Sequence, residues 1–241
     1  MPSAVVVAGA AAAGLLGGVL VPLPAYRLSV SPGQPPRGEC ASCERPVPGW
    51  VALPAACRGC GTRLGPPIWL TGAVGAVSGA LLGWGLGWSP ELPIFLALVV
   101  LGILLAVIDL SCLRLPDGLV IPAFWVLAGV LTIVALATGG WGHLLRAGLG
   151  AATLGGLFLL LALMPGGGLG YGDVKLAALL GLALGWLGWP AVLLGGLLPW
   201  LINGFVVIGL LLARRVGHKT SVPFGPAMLA GALVAAVLSQ V

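Results

Sequence analysis

Long apolar segments fill most of this 241-residue chain and leave little room for anything except membrane-spanning helices. Fifty-nine per cent of the residues are hydrophobic and only 7% are charged. Several apolar segments approach the ~20 residues that cross a ~30 Å hydrocarbon layer as a helix. The pattern predicts an all-α, polytopic membrane protein with eight spans, at residues 4–23, 67–88, 92–109, 119–138, 147–164, 174–187, 190–213 and 225–240.

The positive charges predict how these spans are oriented. If the only sizeable polar interval, residues 24–66, is cytoplasmic, ten of the eleven Lys and Arg residues lie inside and Arg146 alone lies outside. Both chain ends then face outward. The net charge of +5 does not indicate nucleic acid, because the basic residues are scattered among short loops rather than gathered in a stripe.

Three parts of the chain follow from this topology. We expect a first membrane helix at 1–23, a cytoplasmic loop at 24–66 and a seven-helix membrane domain at 67–241. No basic residue precedes the first span, and Arg27 follows it, so we expect a retained helix rather than a cleaved signal peptide.

Four of the five cysteines form two Cys-x-x-Cys pairs in the polar loop. Cys40 and Cys43 are separated from Cys57 and Cys60 by thirteen residues, a spacing close to that of four-cysteine zinc ribbons. Four thiolates complete a tetrahedral ion and leave no open coordination position, which is typical of a structural site. Because a cytoplasmic position disfavours disulfides, we predict one structural zinc ion.

Two aspartates stand at the ends of apolar segments. A carboxylate at membrane depth costs roughly 2.5 to 3.5 kcal/mol on insertion scales, so each is a functional candidate. In the predicted topology Asp109 ends the third span and Asp173 precedes the sixth, and both lie at the cytoplasmic boundary. Two carboxylates that share one site retain a proton between them, as in aspartic proteases. For Asp173 a helix-capping role is the alternative.

Two charged residues near these aspartates have simpler interpretations. Asp117 lies between Pro116 and Gly118 and is predicted to be a turn and helix-cap residue. Lys175 is predicted to be a snorkelling charge that orients its helix at the cytoplasmic face, with a role as a general acid as the alternative.

Small and aromatic residues predict how the helices pack and where they end. Glycines at four-residue spacing indicate close helix contacts, and they are Gly14, Gly18, Gly75, Gly79, Gly83, Gly87, Gly181 and Gly185. Tryptophans near the predicted outer ends are interpreted as interface anchors, and they are Trp84, Trp88, Trp141, Trp186 and Trp189.

The segments around both aspartates resemble those of a known family. Gly170-Tyr171-Gly172-Asp173-Val174-Lys175-Leu176 is similar to the Gly-x-Gly-Asp segment of the type IV prepilin peptidases, aspartic membrane proteases. Ile108-Asp109-Leu110 with Leu115-Pro116-Asp117 resembles the segment of the first catalytic aspartate, and residues 222–226 resemble the segment that opens the last helix. With the tetracysteine loop, the resemblance covers nearly the whole chain.

This resemblance implies a specific activity and location. Asp109 and Asp173 would be the catalytic pair, and Gly170, Tyr171 and Gly172 would let an extended substrate approach. The enzyme would lie in the bacterial cytoplasmic (inner) membrane. There it would remove the basic leader from precursors of type IV pilins or type II secretion pseudopilins, after a glycine.

Methylation is a separate expectation. Many relatives also methylate the new N-terminus with S-adenosylmethionine and carry a glutamate just after the second cysteine pair. This chain has Pro67-Ile68-Trp69-Leu70-Thr71 at that position, so we expect cleavage without efficient methylation.

Two alternatives use the same features differently. A small proton-coupled transporter would use the two aspartates as a relay, but it would favour acidic residues spread across the bilayer. A zinc-ribbon adaptor without chemistry would explain the cysteines and leave the aspartates without a role.

Overall fold

The computed structural model describes residues 3–31, 33–47, 49–164, 169–214 and 222–240. Within these ranges the regular structure is helical, which confirms the predicted fold class. The helices are α1 (Ala4–Val19), α2 (Pro22–Leu28), α3 (Ile68–Leu86), α4 (Leu92–Cys112), α5 (Asp117–Thr138), α6 (Trp141–Leu163), α7 (Tyr171–Leu187), α8 (Trp189–Leu212) and α9 (Gly225–Leu238).

The predicted count of eight spans is not confirmed. Among the described residues, five helices are long and apolar enough to cross a membrane, α3, α4, α5, α6 and α8, and the count is six if α1 and α2 form one span. Helices α7 and α9 have 17 and 14 residues. At 1.5 Å per residue they reach only about 26 and 21 Å, short of the hydrocarbon thickness.

A bend of 41° divides the first predicted span into α1 and α2. Pro22 and Pro24 lie in the first turn of α2. Because proline has no amide hydrogen and its ring clashes with the preceding turn, the α1 hydrogen-bond ladder ends before them. The chain therefore continues into the polar loop on a separate short helix.

The chain divides into two compact units, residues 1–114 and 115–241. In the first unit α1 packs along α3 through small residues. A Cβ atom on Gly14 would overlap the carbonyl oxygen of Gly75, and one on Gly79 would overlap that of Ala10. The predicted close packing is confirmed for these glycines. Gly87 differs, because it ends α3 at a positive φ of 61° and has no neighbour at its Cβ position.

In the second unit α7 is the central helix. It contacts α5, α6, α8 and α9, and its residues from Gly181 to Trp186 are all buried. Gly181 and Gly185 lie against the backbone of α6 at Gly150 and Ala147. Because other helices surround α7, it needs fewer apolar residues than a helix that faces lipid.

The predicted outer tryptophans do not all have the same setting. Trp84, Trp88, Trp141 and Trp189 are exposed, as interface anchors require, whereas Trp186 is only 3% exposed. The anchor interpretation is wrong for Trp186. Its ring packs beside that of His143, with 5.5 Å between the ring centroids, because α7 lies inside its unit.

Candidate active site and metal site

Asp109 lies in the last turns of α4, in the first unit. The helix continues three residues beyond the predicted end and closes at Leu113, which is left-handed with φ 51° and donates its amide to the Asp109 carbonyl at 2.8 Å. The Asp109 side chain is 4% exposed. The helix dipole and the loss of hydration both disfavour a carboxylate in this position. Helix stability therefore does not explain Asp109.

Asp173 lies in the first turn of α7, in the second unit. It is the third residue of the helix, and its Oδ2 atom accepts a hydrogen bond from the Gly170 amide at 3.1 Å. This bond satisfies one of the amides that a helix start leaves without a partner. Asp173 therefore has the helix-capping role that was the alternative at the sequence level. The same bond also orients the carboxylate.

The glycines before Asp173 have different surroundings. Gly170 is exposed, as is Tyr171. A Cβ atom on Gly172 would lie 3.1 Å from the Leu115 Cβ atom, so the start of α7 approaches the segment before α5 closely at this residue. Gly170 and Gly172 have no positive φ, so close approach rather than backbone conformation accounts for Gly172.

An ion pair links the starts of α5 and α7. The Lys175 Nζ atom lies 2.6 Å from the Asp117 Oδ1 atom, and the two side chains are 38% and 59% exposed. Asp117 is the first residue of α5, and Pro116 occupies the cap position. Sequence reasoning missed this contact because no local spacing relates the two residues. An exposed pair of this kind stabilises a fold by about 0.2 to 1 kcal/mol.

Arg146 holds the other end of α7. Its guanidinium donates to the Gly185 carbonyl at 3.0 Å and to the Trp186 carbonyl at 3.1 Å. These carbonyls lie in the last turn of the helix, where a positive charge is favourable. The residue predicted to be the one external charge is therefore a C-terminal partner of α7, and both ends of this helix are tied to neighbours.

The four loop cysteines come together as predicted. Their Sγ atoms all lie within 4.8 Å of one another, with 3.7 Å between Cys40 and Cys60 and 3.5 Å between Cys43 and Cys57. A disulfide needs about 2.05 Å. A tetrahedral ion with 2.3 Å bonds to sulfur sets its ligands about 3.8 Å apart. The cluster therefore fits a single tetrahedral metal ion.

The two Cys-x-x-Cys turns have matching backbones. In each turn, the backbone amide of the first cysteine donates a hydrogen bond to the carbonyl oxygen of the residue five positions later. Cys40 donates to Arg45 at 2.9 Å, and Cys57 donates to Thr62 at 2.8 Å. The fourth residue after it, Glu44 or Gly61, has a positive φ. Leu23 of α2 belongs to the same buried cluster as Cys40 and Cys57, and Ile68 of α3 packs against it. The loop is thus anchored on the helices that flank it.

Hydrogen bonds prepare part of this cluster to bind a cation. Bonds with the hydroxyl and amide of Thr62 lower the pKa of the Cys60 thiol to about 6. Backbone amides of Cys60 and Gly59 lower the pKa of Cys57. Since the thiolate is the form that ligates a metal, both shifts favour metal binding by these two residues.

Comparison with known proteins gives a consistent family. A model of the type IV leader peptidase family matches residues 95–213, a range that includes both aspartates. A prepilin leader peptidase/N-methyltransferase from Aeromonas hydrophila is 34% identical over 219 residues, which cover 84% of this chain and 70% of that protein. Proteins with the same name from Aeromonas salmonicida strain A449 and Pseudomonas putida are 33% and 31% identical, each over 79% of this chain and 67% and 68% of their own length.

No solved structure matches the chain. The family match argues against the transporter and adaptor alternatives, because neither accounts for similarity to a peptidase over most of the chain. With its apolar helices, the chain belongs to the type IV leader peptidase family and is a multi-pass membrane aspartic peptidase.

Proposed function

We propose that Asp109 and Asp173 are the catalytic pair, and that the enzyme removes leaders from prepilin or pseudopilin precursors at the cytoplasmic membrane face. The observation that carries the proposal is the setting of Asp109, a buried carboxylate near the C-terminal end of an apolar helix. A carboxylate there opposes the helix dipole, and membership of a peptidase family provides a reason to keep it.

The chemistry needs one ionised and one protonated carboxyl group. The ionised aspartate takes a proton from water, and the resulting hydroxide attacks the carbonyl carbon of the scissile peptide. The protonated aspartate gives its proton to the carbonyl oxygen and so stabilises the tetrahedral intermediate. When the carbon–nitrogen bond breaks, the proton taken from water is delivered to the leaving amine. As the intermediate collapses to a carboxylic acid, one of its hydroxyl protons returns to the other aspartate, and both carboxyl groups are restored for a further cycle.

The segment before Asp173 supports an approach by extended substrate. Gly170 and Tyr171 are exposed beside the carboxylate, and the hydrogen bond from the Gly170 amide leaves the Asp173 side chain at the start of the helix rather than inside the bundle. A peptide must be extended to expose its scissile bond, and small residues allow its backbone to come close.

The metal in the loop is proposed to be zinc with a structural role. Four thiolates in a small tetrahedral cluster suit zinc. The metal would tie the two Cys-x-x-Cys turns to each other and so stabilise the loop. It supplies no catalytic step, since all four coordination positions belong to the protein.

Methyl transfer is a separate proposal. The relatives' names include N-methyltransferase. In this chain the first turn of α3 has no acidic residue, and Pro67-Ile68-Trp69-Leu70-Thr71 stands where many bifunctional relatives carry a glutamate. An amine must lose a proton before it attacks a methyl donor, and a carboxylate is the simplest acceptor. We propose that cleavage is the main activity and that methylation from S-adenosylmethionine is inefficient.

A purified-component assay tests the peptidase. The protein in detergent is incubated with a precursor that carries a basic leader, and the mature N-terminus is identified by mass spectrometry. We expect the wild type to cleave after the leader glycine. The variants Asp109→Asn and Asp173→Asn should release no leader. Cleavage by either variant at the wild-type rate would assign the chemistry to other residues.

A further inference from the structure

The first turn of α7 is joined to the segment that starts α5 at two places, and Asp173 lies between them in the sequence. On one side of Asp173, the Gly172 backbone packs against the Leu115 side chain, with 3.1 Å from a Cβ position on Gly172 to the Leu115 Cβ atom. On the other side, the Lys175 ammonium lies 2.6 Å from the Asp117 carboxylate. Both contacts lie within the second unit.

Helix stability does not account for Lys175 in this position. A positive charge in the first turns of a helix opposes the helix dipole, whereas the negative charge of Asp117 in the first turn of α5 is favourable. The Asp117 carboxylate offsets the cost of the Lys175 charge. Both side chains are more than one third exposed, so water screens the pair and its contribution to overall stability is small.

Position is more sensitive than stability to such a contact. Catalytic groups act only within a narrow range of geometries, and a displacement of about 1 Å costs up to about 10²-fold in rate. The Gly170 amide orients the Asp173 carboxylate relative to its own helix. This hydrogen bond does not fix the position of the start of α7 relative to α5. The ion pair between Lys175 and Asp117 spans those two helices.

We propose that the Lys175–Asp117 ion pair is a positioning device for the peptidase, which holds the first turn of α7 against α5 and so sets the location of the Asp173 carboxylate. This inference rests on the proposed role of Asp173. Lys175 and Asp117 act through Asp173 and are positioning residues rather than catalytic ones.

A double-mutant cycle on the full-length protein in detergent tests the pair. The variants are Lys175→Met, Asp117→Asn and the two combined, and the assay is leader release from a prepilin substrate. Each single variant should lower kcat about fivefold to tenfold with KM within about twofold of wild type. Because both variants break the same contact, the combined variant should be no worse than the worse single one. Lys175→Arg, which keeps the charge, should retain most of the wild-type kcat.

The controls separate positioning from other roles. Arg214→Met removes a positive charge from an exposed position of the same unit and should leave kcat unchanged. Thermal midpoints of all variants should stay within about 4 °C of wild type, as expected for an exposed pair.

Three results would overturn the inference. The first is a kcat within twofold of wild type for the single variants, and the second is losses of kcat that multiply in the combined variant. The third is a rise in KM for Lys175→Met alone, which would indicate direct contact with substrate. The proposed function has its own check in the same assay, because wild-type cleavage and inactive Asp173→Asn must both be observed first.

Discussion

The tetracysteine loop and the start of α7 place their functional groups in different ways. In the loop, the four Sγ atoms belong to two short turns with matching hydrogen bonds, so most of the geometry is local. At the start of α7, the contacts are made by neighbours of Asp173 with a segment more than fifty residues away, Gly172 with Leu115 and Lys175 with Asp117. We therefore expect the metal site to tolerate changes elsewhere in the chain, and the Asp173 carboxylate to depend on how the helices pack.

The largest expected effect is the loss of either proposed catalytic carboxylate. Asp109→Asn and Asp173→Asn should each lower leader release by about 10³-fold or more while the protein still inserts in the membrane, because an amide neither accepts nor donates the required proton. The double variant should be about as inactive as each single one. Asp117→Asn removes a nearby carboxylate and is the matched control. It should lower the rate of leader release by about tenfold at most. A single Asn variant with near-normal turnover would contradict the assignment.

Substitutions of the loop cysteines should have the opposite effect. They should remove the metal and leave most of the peptidase activity. The paired variant Cys57→Ser/Cys60→Ser should lose the zinc ion, of which wild type should carry about one per chain. The loop should become sensitive to protease, since a structural metal contributes folding free energy. Membrane-embedded enzyme should keep more than about a tenth of its peptidase rate.

Cys112→Ser is the matched control for this metal experiment. Cys112 lies outside the cluster, and its thiol donates to the Ile108 carbonyl at 3.2 Å. This variant should retain the metal. Wild-type protein without metal, or with a disulfide among the four cysteines, would contradict the proposed zinc site.

Glycine variants in α6 test whether stability and cleavage depend on the packing around α7. Gly150→Ala in α6 places a methyl group against the carbonyl oxygen of Gly181 and should destabilise the second unit by about 1 to 3 kcal/mol. The displaced α7 should also lower the cleavage rate. Gly148→Ala lies two residues away on the same helix and meets no neighbour, so it should be neutral or slightly stabilising. Equal thermal midpoints for the two variants would contradict the close α6–α7 contact.

The smallest expected effect concerns methylation. After incubation of wild type, precursor and S-adenosylmethionine, we expect less than about a tenth of the mature product to carry one added methyl group, because the first turn of α3 has no carboxylate to accept the proton of the amine. Mass spectrometry of the product measures this fraction. Stoichiometric methylation would contradict the expectation and would leave the peptidase assignment unaffected.

Sequence reasoning succeeded where the structure is determined by interactions between residues that are close together in the sequence. The apolar segments predicted the helices, since helix formation and lipid exposure depend on local composition. The cysteine spacing predicted the metal cluster, which the Sγ distances support. The same reasoning was wrong at the end of α7, where it predicted an interface anchor at Trp186, which is buried. It could not identify a helix surrounded by protein, because burial by other helices leaves no periodic signal.

Composition and residue spacing identify a helical membrane protein, group four cysteines together and single out two aspartates for a catalytic hypothesis. Helix packing is what makes α7 the central helix of its unit, brings Arg146 to one end of it and brings Asp117 to Lys175 near the other. The physical reason is that composition and spacing act over a few residues. Contacts between helix ends depend on how whole helices pack, and no local pattern in the chain encodes that packing.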